Sequence, residues 1–223
     1  MTIVSSILRR DLRLGLFRGA DVVMTIFFFL VVACLFPFAL NADSVLLRAA
    51  SAGVLWVAAL LASLLSLEHI YHRDYDDGTF DLLAMGGAPM LRVVMAKMLS
   101  HFILSGLPLI VASVIAGMML NFPLHLLPVL LLSLAIGVGY MSLLGGFGAC
   151  LTFGSRKPSL LMVLIILPLF IPMLVLGMLA AEAGLAGLSP RPYLLLQASL
   201  LFAALPLLPA FSAALLSFQV RSS

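Results

Sequence analysis

The sequence predicts an all-α integral membrane protein with six transmembrane helices and both termini in the cytoplasm. A helix at the membrane surface precedes the first span, and a short cytoplasmic helix lies between spans 2 and 3. Three observations carry that expectation. Of 223 residues, 64% are hydrophobic and 9% charged, with a mean hydropathy of +1.25, whereas soluble domains are about one quarter charged. Apolar stretches long enough to cross a bilayer, roughly 20 helical residues each, recur along the chain, so residues 1–223 read as one membrane domain. The basic residues also alternate between loops: ten of twelve lie in the N-terminal arm, residues 68–97, the Arg156-Lys157 turn and the Arg221 tail, leaving Arg48 and Arg191 opposite. By the positive-inside rule the basic side is cytoplasmic.

The arm, residues 1–20, sets Ile3, Val4, Ile7, Leu8 and Leu12 on one helical face and Arg9 and Arg13 on the other, as in a helix lying among lipid headgroups. An ordinary basic flank that orients the first span fits as well. Asp11 falls among the apolar positions, which requires a nearby Arg or another part of the protein to receive it. The apolar run that follows is long and lacks a small-residue cleavage site, so the first span is expected to stay in the mature chain.

Span 1 is expected over residues 22–40, with Pro37 near its end, and span 2 over 45–67, with Arg48 near enough to the boundary to snorkel. Span 3, residues 98–120, is interrupted by Gly106 and Pro108. Spans 4, 5 and 6 cover 126–153, 159–181 and 193–218, with Pro168 and Pro172 in the fifth and Pro206 and Pro209 in the sixth. Asn41 to Ser44, Asn121 to Pro123 and Glu182 to Pro192 supply the loops on the outer side.

Residues 68–97 are the long polar interruption, and charges this dense cannot remain in hydrocarbon. Tyr75-Asp76-Asp77-Gly78 reads as a turn, with Asp77 or Thr79 able to cap a helix from Phe80 to Met85. That helix presents Phe80, Leu83 and Ala84 on one side, too short to be stable alone and suited to a groove in another protein. Gly86 and Gly87 end it, and Pro89 opens the helix leading through Lys97 into span 3. A solvated loop is the alternative, though one this long is uncommon without a purpose.

Several functions are excluded or disfavoured. No G-x-x-x-x-G-K-[ST] occurs, so the chain has no nucleotide site of that type. The glycines at 137, 139, 145, 146 and 148 lie in an apolar span, where small residues admit close helix approach. No Asp or Glu lies near mid-span, which argues against proton- or sodium-coupled transport. The scattered basic residues make no nucleic-acid stripe, and Cys34 and Cys150 form no redox or haem-attachment motif.

His101, the deepest ionisable group, reads as a helix-to-helix hydrogen bond before a haem or metal ligand, because no convergent partners are evident from spacing. A Ser142–His101 pair is conceivable for an intramembrane protease, but the local sequence does not recommend it. His69 and His72 share a helical face and read as solvated interface residues, and His125 is isolated.

The run WVAALLASLLSLE from Trp56 to Glu68, the Asp74, Asp77-Gly78 and Leu83 pattern, Pro89, Lys97, His101 and GLPL at 106–109 resemble the CcmB family. Those proteins are the permease subunit of the cytochrome c maturation system, often called haem exporter protein B. The likeness extends more loosely to the LRRDLRL arm, the LFPFAL end of span 1 and the Pro168–Pro172 pair. His69 stands where an Arg is expected, and Phe80-Asp81 replaces a Leu-Glu pair, so ionic contacts to a partner differ there.

The resemblance implies an export-type ABC permease of the bacterial inner membrane, itself non-catalytic. It implies a cytoplasmic ATPase, CcmA, docked under the polar stretch, so that ATP acts through that partner. It also implies a membrane haem-handling protein, CcmC, and a periplasmic haem chaperone, CcmE. Carried onto this sequence, the ATPase-coupling residues are Glu68, Asp74, Asp77, Gly78, Phe80, Asp81, Leu83, Pro89 and Lys97, with residues 68–97 as the coupling segment. His101 and Trp56 are candidates for contact with haem or a membrane partner. No resident cofactor or metal is expected, haem being a candidate substrate of the complex. Whether haem crosses the bilayer or ATP drives release of the haem-loaded chaperone stays open. Spans nearly devoid of basic or ligand side chains lean toward release. A lipid or polysaccharide export permease of the same architecture, and a passive scaffold for a haem-handling complex, are the competing readings.

Overall fold

The structure is a computed structural model describing residues 3–17, 20–67, 89–152 and 158–222, all-helical among those residues. The helices are α1 (Ile3–Phe17), α2 (Ala20–Ala39), α3 (Ser44–Leu67), α4 (Met90–His101), α5 (Leu107–Met119), α6 (Leu127–Leu151), α7 (Pro158–Leu185) and α8 (Arg191–Ser222). A π-helical turn, Phe102–Gly106, joins α4 to α5, and a 3-10 turn, Leu124–Leu126, leads into α6. Among the described residues six helical segments are long and apolar enough to cross a membrane: Asp21–Ala39, Ser44–Leu67, Met90–Met119, Leu124–Leu151, Leu160–Leu185 and Arg191–Phe218.

The helix that carries the third span starts at Met90, ahead of Met98, and Val93, Val94, Ala96, Lys97 and Met98 are already packed against neighbouring helices. The fifth runs on to Leu185, so the following loop is shorter than the expected Glu182 to Pro192.

Three turns that alternation places on one side of the bundle share a device. Asn41 (φ 51°), Asn121 (φ 54°) and Gly187 (φ 73°) are left-handed at the helix ends. In each case the next residue's amide reaches back five positions, from Ala42 to Pro37 O, Phe122 to Gly117 O and Leu188 to Ala183 O. This satisfies carbonyls that would otherwise be orphaned where helices end. Asp43 then caps α3 by accepting from the amides of Val45 at 2.8 Å and Leu46 at 3.3 Å.

The main core lies between α3, α6 and α7, with Phe29 and Ala33 of α2 and Leu109, Ala112 and Ala116 of α5 closing it. Trp56 is its largest buried side chain, and the indole occupies the places where a Cβ would stand on Gly137 of α6 and Gly177 of α7. Leu67 likewise fills the notch at Gly145, and a Cβ on Gly146 would lie 2.6 Å from Met98 Cε. The glycines of span 4 thus admit large side chains from neighbouring helices. Outward-facing apolar side chains, such as Phe27, Phe38, Val111, Leu164 and Phe202, suit lipid.

A second cluster gathers Ile7 of α1, Val93, Val94, Ala96 and Met98 of α4, Leu143 and Cys150 of α6, and Ala204 and Leu216 of α8. It closes the end of the bundle from which α4 emerges.

Candidate functional site

Of the expected coupling residues, Glu68, Asp74, Asp77, Gly78, Phe80, Asp81 and Leu83 lie outside the described residues, as does the expected helix from Phe80 to Met85. The site can be built from where that segment re-enters the bundle. Pro89 is exposed and extended (φ −62°, ψ 112°). Its carbonyl accepts from the amides of Arg92 at 2.9 Å and Val93 at 3.4 Å, so it starts α4.

Two turns further, Lys97 is turned inward. Its Nζ lies 2.8 Å from Asp11 Oδ2 of α1, the two side chains being 8% and 9% exposed. Asp11 Oδ1 also accepts from Arg10 Nε at 3.1 Å. The Asp11 that breaks the amphipathic pattern is thus received both by a neighbouring Arg and by another helix. Further along the arm, a Cβ on Gly15 would lie 2.6 Å from Leu104 Cδ1. The arm is therefore packed lengthwise on α4 and the π-helical turn that follows it, with Ile7 beside the base, Asp11 on Lys97 and Gly15 on Leu104.

One turn beyond Lys97 on the same face stands His101. Its Nε2 is 2.9 Å from Ser66 Oγ of α3, and its Nδ1 is 2.9 Å from Ser142 Oγ of α6. Three spans are joined through one imidazole. The π-helical turn starts at the next residue: Pro108 has no N–H for the Leu104 carbonyl, and the Leu107 amide reaches back to Phe102 O. A Cβ on Gly106 would lie 2.8 Å from Val138 Cγ1, so α6 presses on span 3 at the break.

Trp56 is enclosed in the core with 1% exposure, and its Nε1–H has no hydrogen-bond partner among the described residues. A second buried polar bridge joins α6, α7 and α8: Ser133 Oγ donates to Gln197 Oε1 at 2.8 Å, and Gln197 Nε2 donates to the Met173 carbonyl at 3.3 Å. Sequence reasoning passed over Gln197, Ser133 and Ser66. A glutamine within an apolar span was the available signal for the first, since it requires partners there, whereas the serines had none. Among the described residues no three His, Cys, Asp or Glu side chains converge as a metal site.

The profile of the CcmB protein family matches residues 2–219 of the chain. The chain belongs to the CcmB family. It is 44% identical over 218 residues to "Heme exporter protein B" of Pseudomonas aeruginosa, with 98% of each chain covered. Against the protein of that name from Paracoccus denitrificans identity is 38%, over 98% of this chain and all of the other. Against that of Escherichia coli K12 it is 34%, over 96% and 98%. For a CcmB chain the notable geometry is at the foot of span 3, where the arm, the helix leaving residues 68–88 and the His101 bridge are stacked along one helix face.

Proposed function

We propose that this CcmB chain is the membrane permease subunit of an ABC-type complex in c-type cytochrome biogenesis. A cytoplasmic ATPase engages residues 68–88, and α4 carries the resulting movement into the bundle. The reading rests on one observation above all: nearly full-length similarity to proteins named heme exporter protein B. It is supported by the absence from the sequence of a phosphate-binding loop, so that ATP must act through a partner, and by the anchoring of α4 to the arm through Lys97 and Asp11. The membrane is the bacterial inner membrane, with both termini and residues 68–88 cytoplasmic, as the distribution of Lys and Arg favours.

Within that role, ATP-driven release of a haem-loaded periplasmic chaperone from a membrane haem-handling partner is favoured over passage of haem through this chain. Haem would need side chains for its iron and its two propionates. His101 already has both ring nitrogens engaged, and Lys97, a buried cation of the spans, already faces Asp11.

Copurification of the tagged chain tests the reading. An ATPase should accompany it, with turnover that changes when this chain is present, together with a membrane protein carrying the haem Soret band. Copurification of lipid- or polysaccharide-export components instead would overturn the substrate. An associated ATPase indifferent to this chain would make it a scaffold.

A further inference from the structure

We propose that Ser66, His101 and Ser142 form a two-way tether, in which the tautomer of the imidazole decides whether span 2 or span 4 lets go of span 3 when α4 is displaced. A count of hydrogens leads there. The four contacts are His101 Nε2 to Ser66 Oγ at 2.9 Å, His101 Nδ1 to Ser142 Oγ at 2.9 Å, Ser66 Oγ to the Ser63 carbonyl at 2.8 Å and Ser142 Oγ to the Val138 carbonyl at 2.9 Å. A neutral imidazole supplies one N–H and one lone pair, and each hydroxyl supplies one hydrogen. Three hydrogens therefore serve four contacts, and two arrangements use them equally well.

With the proton on Nδ1, the ring donates to Ser142, which keeps its own bond to Val138, while Ser66 turns from Ser63 to donate to Nε2. With the proton on Nε2, the roles of the serines exchange. In either arrangement the serine that accepts from the ring is held twice. The serine that donates is held by the ring alone and can swing back to its own carbonyl, which also accepts within its helix ladder. The bridge therefore opens on the donating side, releasing α3 in one tautomer and α6 in the other.

The setting gives such a tether something to do. The π-helical turn after His101 and Pro108 interrupt the regular hydrogen bonding of span 3, so α4 can shift relative to α5. The base of α4 is fastened to the arm at Lys97 and follows directly on residues 68–88. The source of the displacement rests on the function proposed above; the existence of the tether does not.

The test uses the full chain in bilayers, with His69, His72 and His125 replaced by Gln and nitrogen-15 in the remaining imidazole, read by solid-state NMR. With both serines present, a neutral ring with both tautomers populated is expected. Ser66→Ala should leave only the Nδ1–H form, because that proton then satisfies Ser142 and Val138 together, and Ser142→Ala should leave only the Nε2–H form. An imidazolium near neutral pH, a single tautomer with both serines present, or the same tautomer in both variants overturns the tether.

ATP turnover of the copurified complex tests its use, and each serine variant should lower coupling several-fold while insertion is unchanged. Turnover unaffected in both variants overturns the coupling role. An NMR pattern as expected in a chain that brings down no ATPase overturns the functional reading and leaves the tether standing.

Discussion

Asp11 Oδ2 and Lys97 Nζ meet at 2.8 Å with both side chains almost wholly enclosed, so the N-terminal arm and the base of span 3 are fastened by a buried charge pair. A pair of this kind costs a good deal of hydration to form and adds little net stability compared with an apolar pair, but removing one member leaves the other charge enclosed with fewer partners, Asp11 keeping its contact with Arg10.

Asp11→Leu and Lys97→Met should therefore each lower the stability of the detergent-solubilised chain, by up to about 3–5 kcal/mol and less for Lys97→Met because Arg10 still faces Asp11. The double change Asp11→Leu with Lys97→Met should recover most of that loss. Chemical denaturation of the four proteins in one detergent measures the cycle. Additive losses in the double variant would show that the two residues do not act as a pair. If α4 transmits movement from residues 68–88, the double variant should also retain cytochrome assembly better than either single one.

The indole of Trp56 predicts a second coupled pair. A Cβ on Gly177 would overlap its ring, so Gly177→Ala should destabilise by about 1–3 kcal/mol through overpacking. Trp56→Phe removes the volume that causes the clash and also an N–H that has no partner among the described residues. It should therefore cost less than the roughly 3–5 kcal/mol typical of aromatic-to-alanine truncation, and in the Gly177→Ala background it should restore stability. Midpoints of thermal unfolding for the single and double variants decide this, and an equal penalty for Trp56→Phe in both backgrounds would be the contrary result.

The six spans were readable because apolar length is a property of local composition, and among the described residues they reappear as six helical segments long and apolar enough to cross a membrane. The notches were half readable. Gly137, Gly145, Gly146 and Gly148 announced close approach, but which side chain enters each depends on pairing between helices far apart in sequence. His101 shows the same boundary. Its depth in span 3 marked it as a bridge between helices, while Ser66 and Ser142 are ordinary residues until folding brings them to its two nitrogens. Lys97 read as the end of a solvated segment because it closes the charged stretch that starts at Glu68, although its immediate neighbours, Val93 to Ala96 and Met98, are mostly apolar; tertiary contact with Asp11 holds it inward.

The polar bridge through Gln197 should be worth less than its burial suggests. Gln197→Leu leaves the Ser133 hydroxyl free to turn to a carbonyl of its own helix, and the Met173 carbonyl remains within α7. Interhelical hydrogen bonds in membrane proteins average about 0.6 kcal/mol in double-mutant cycles. The predicted loss is therefore about 1 kcal/mol or less, far below that of Lys97→Met, and side-by-side denaturation of the two variants checks the ranking.

The turns at Asn41, Asn121 and Gly187 make the last prediction, because their left-handed residues are not equivalent to substitution. Asn121 at φ 54° ends α5 while the Phe122 amide closes on the Gly117 carbonyl at 2.9 Å. Glycine reaches that conformation without a Cβ clash, whereas a side chain branched at Cβ meets the following carbonyl, at a cost of roughly 1–2 kcal/mol for an ordinary residue. Asn121→Gly should thus leave the unfolding midpoint within a degree or so of the parent and Asn121→Val should lower it, with the same order expected at Asn41. Gly187, already a glycine at φ 73° with open space where its Cβ would be, supplies the control. Gly187→Ala can lose stability only through its backbone, so a penalty there comparable to Asn121→Val would assign the effect to conformation, and no penalty would assign it to the crowding of the valine.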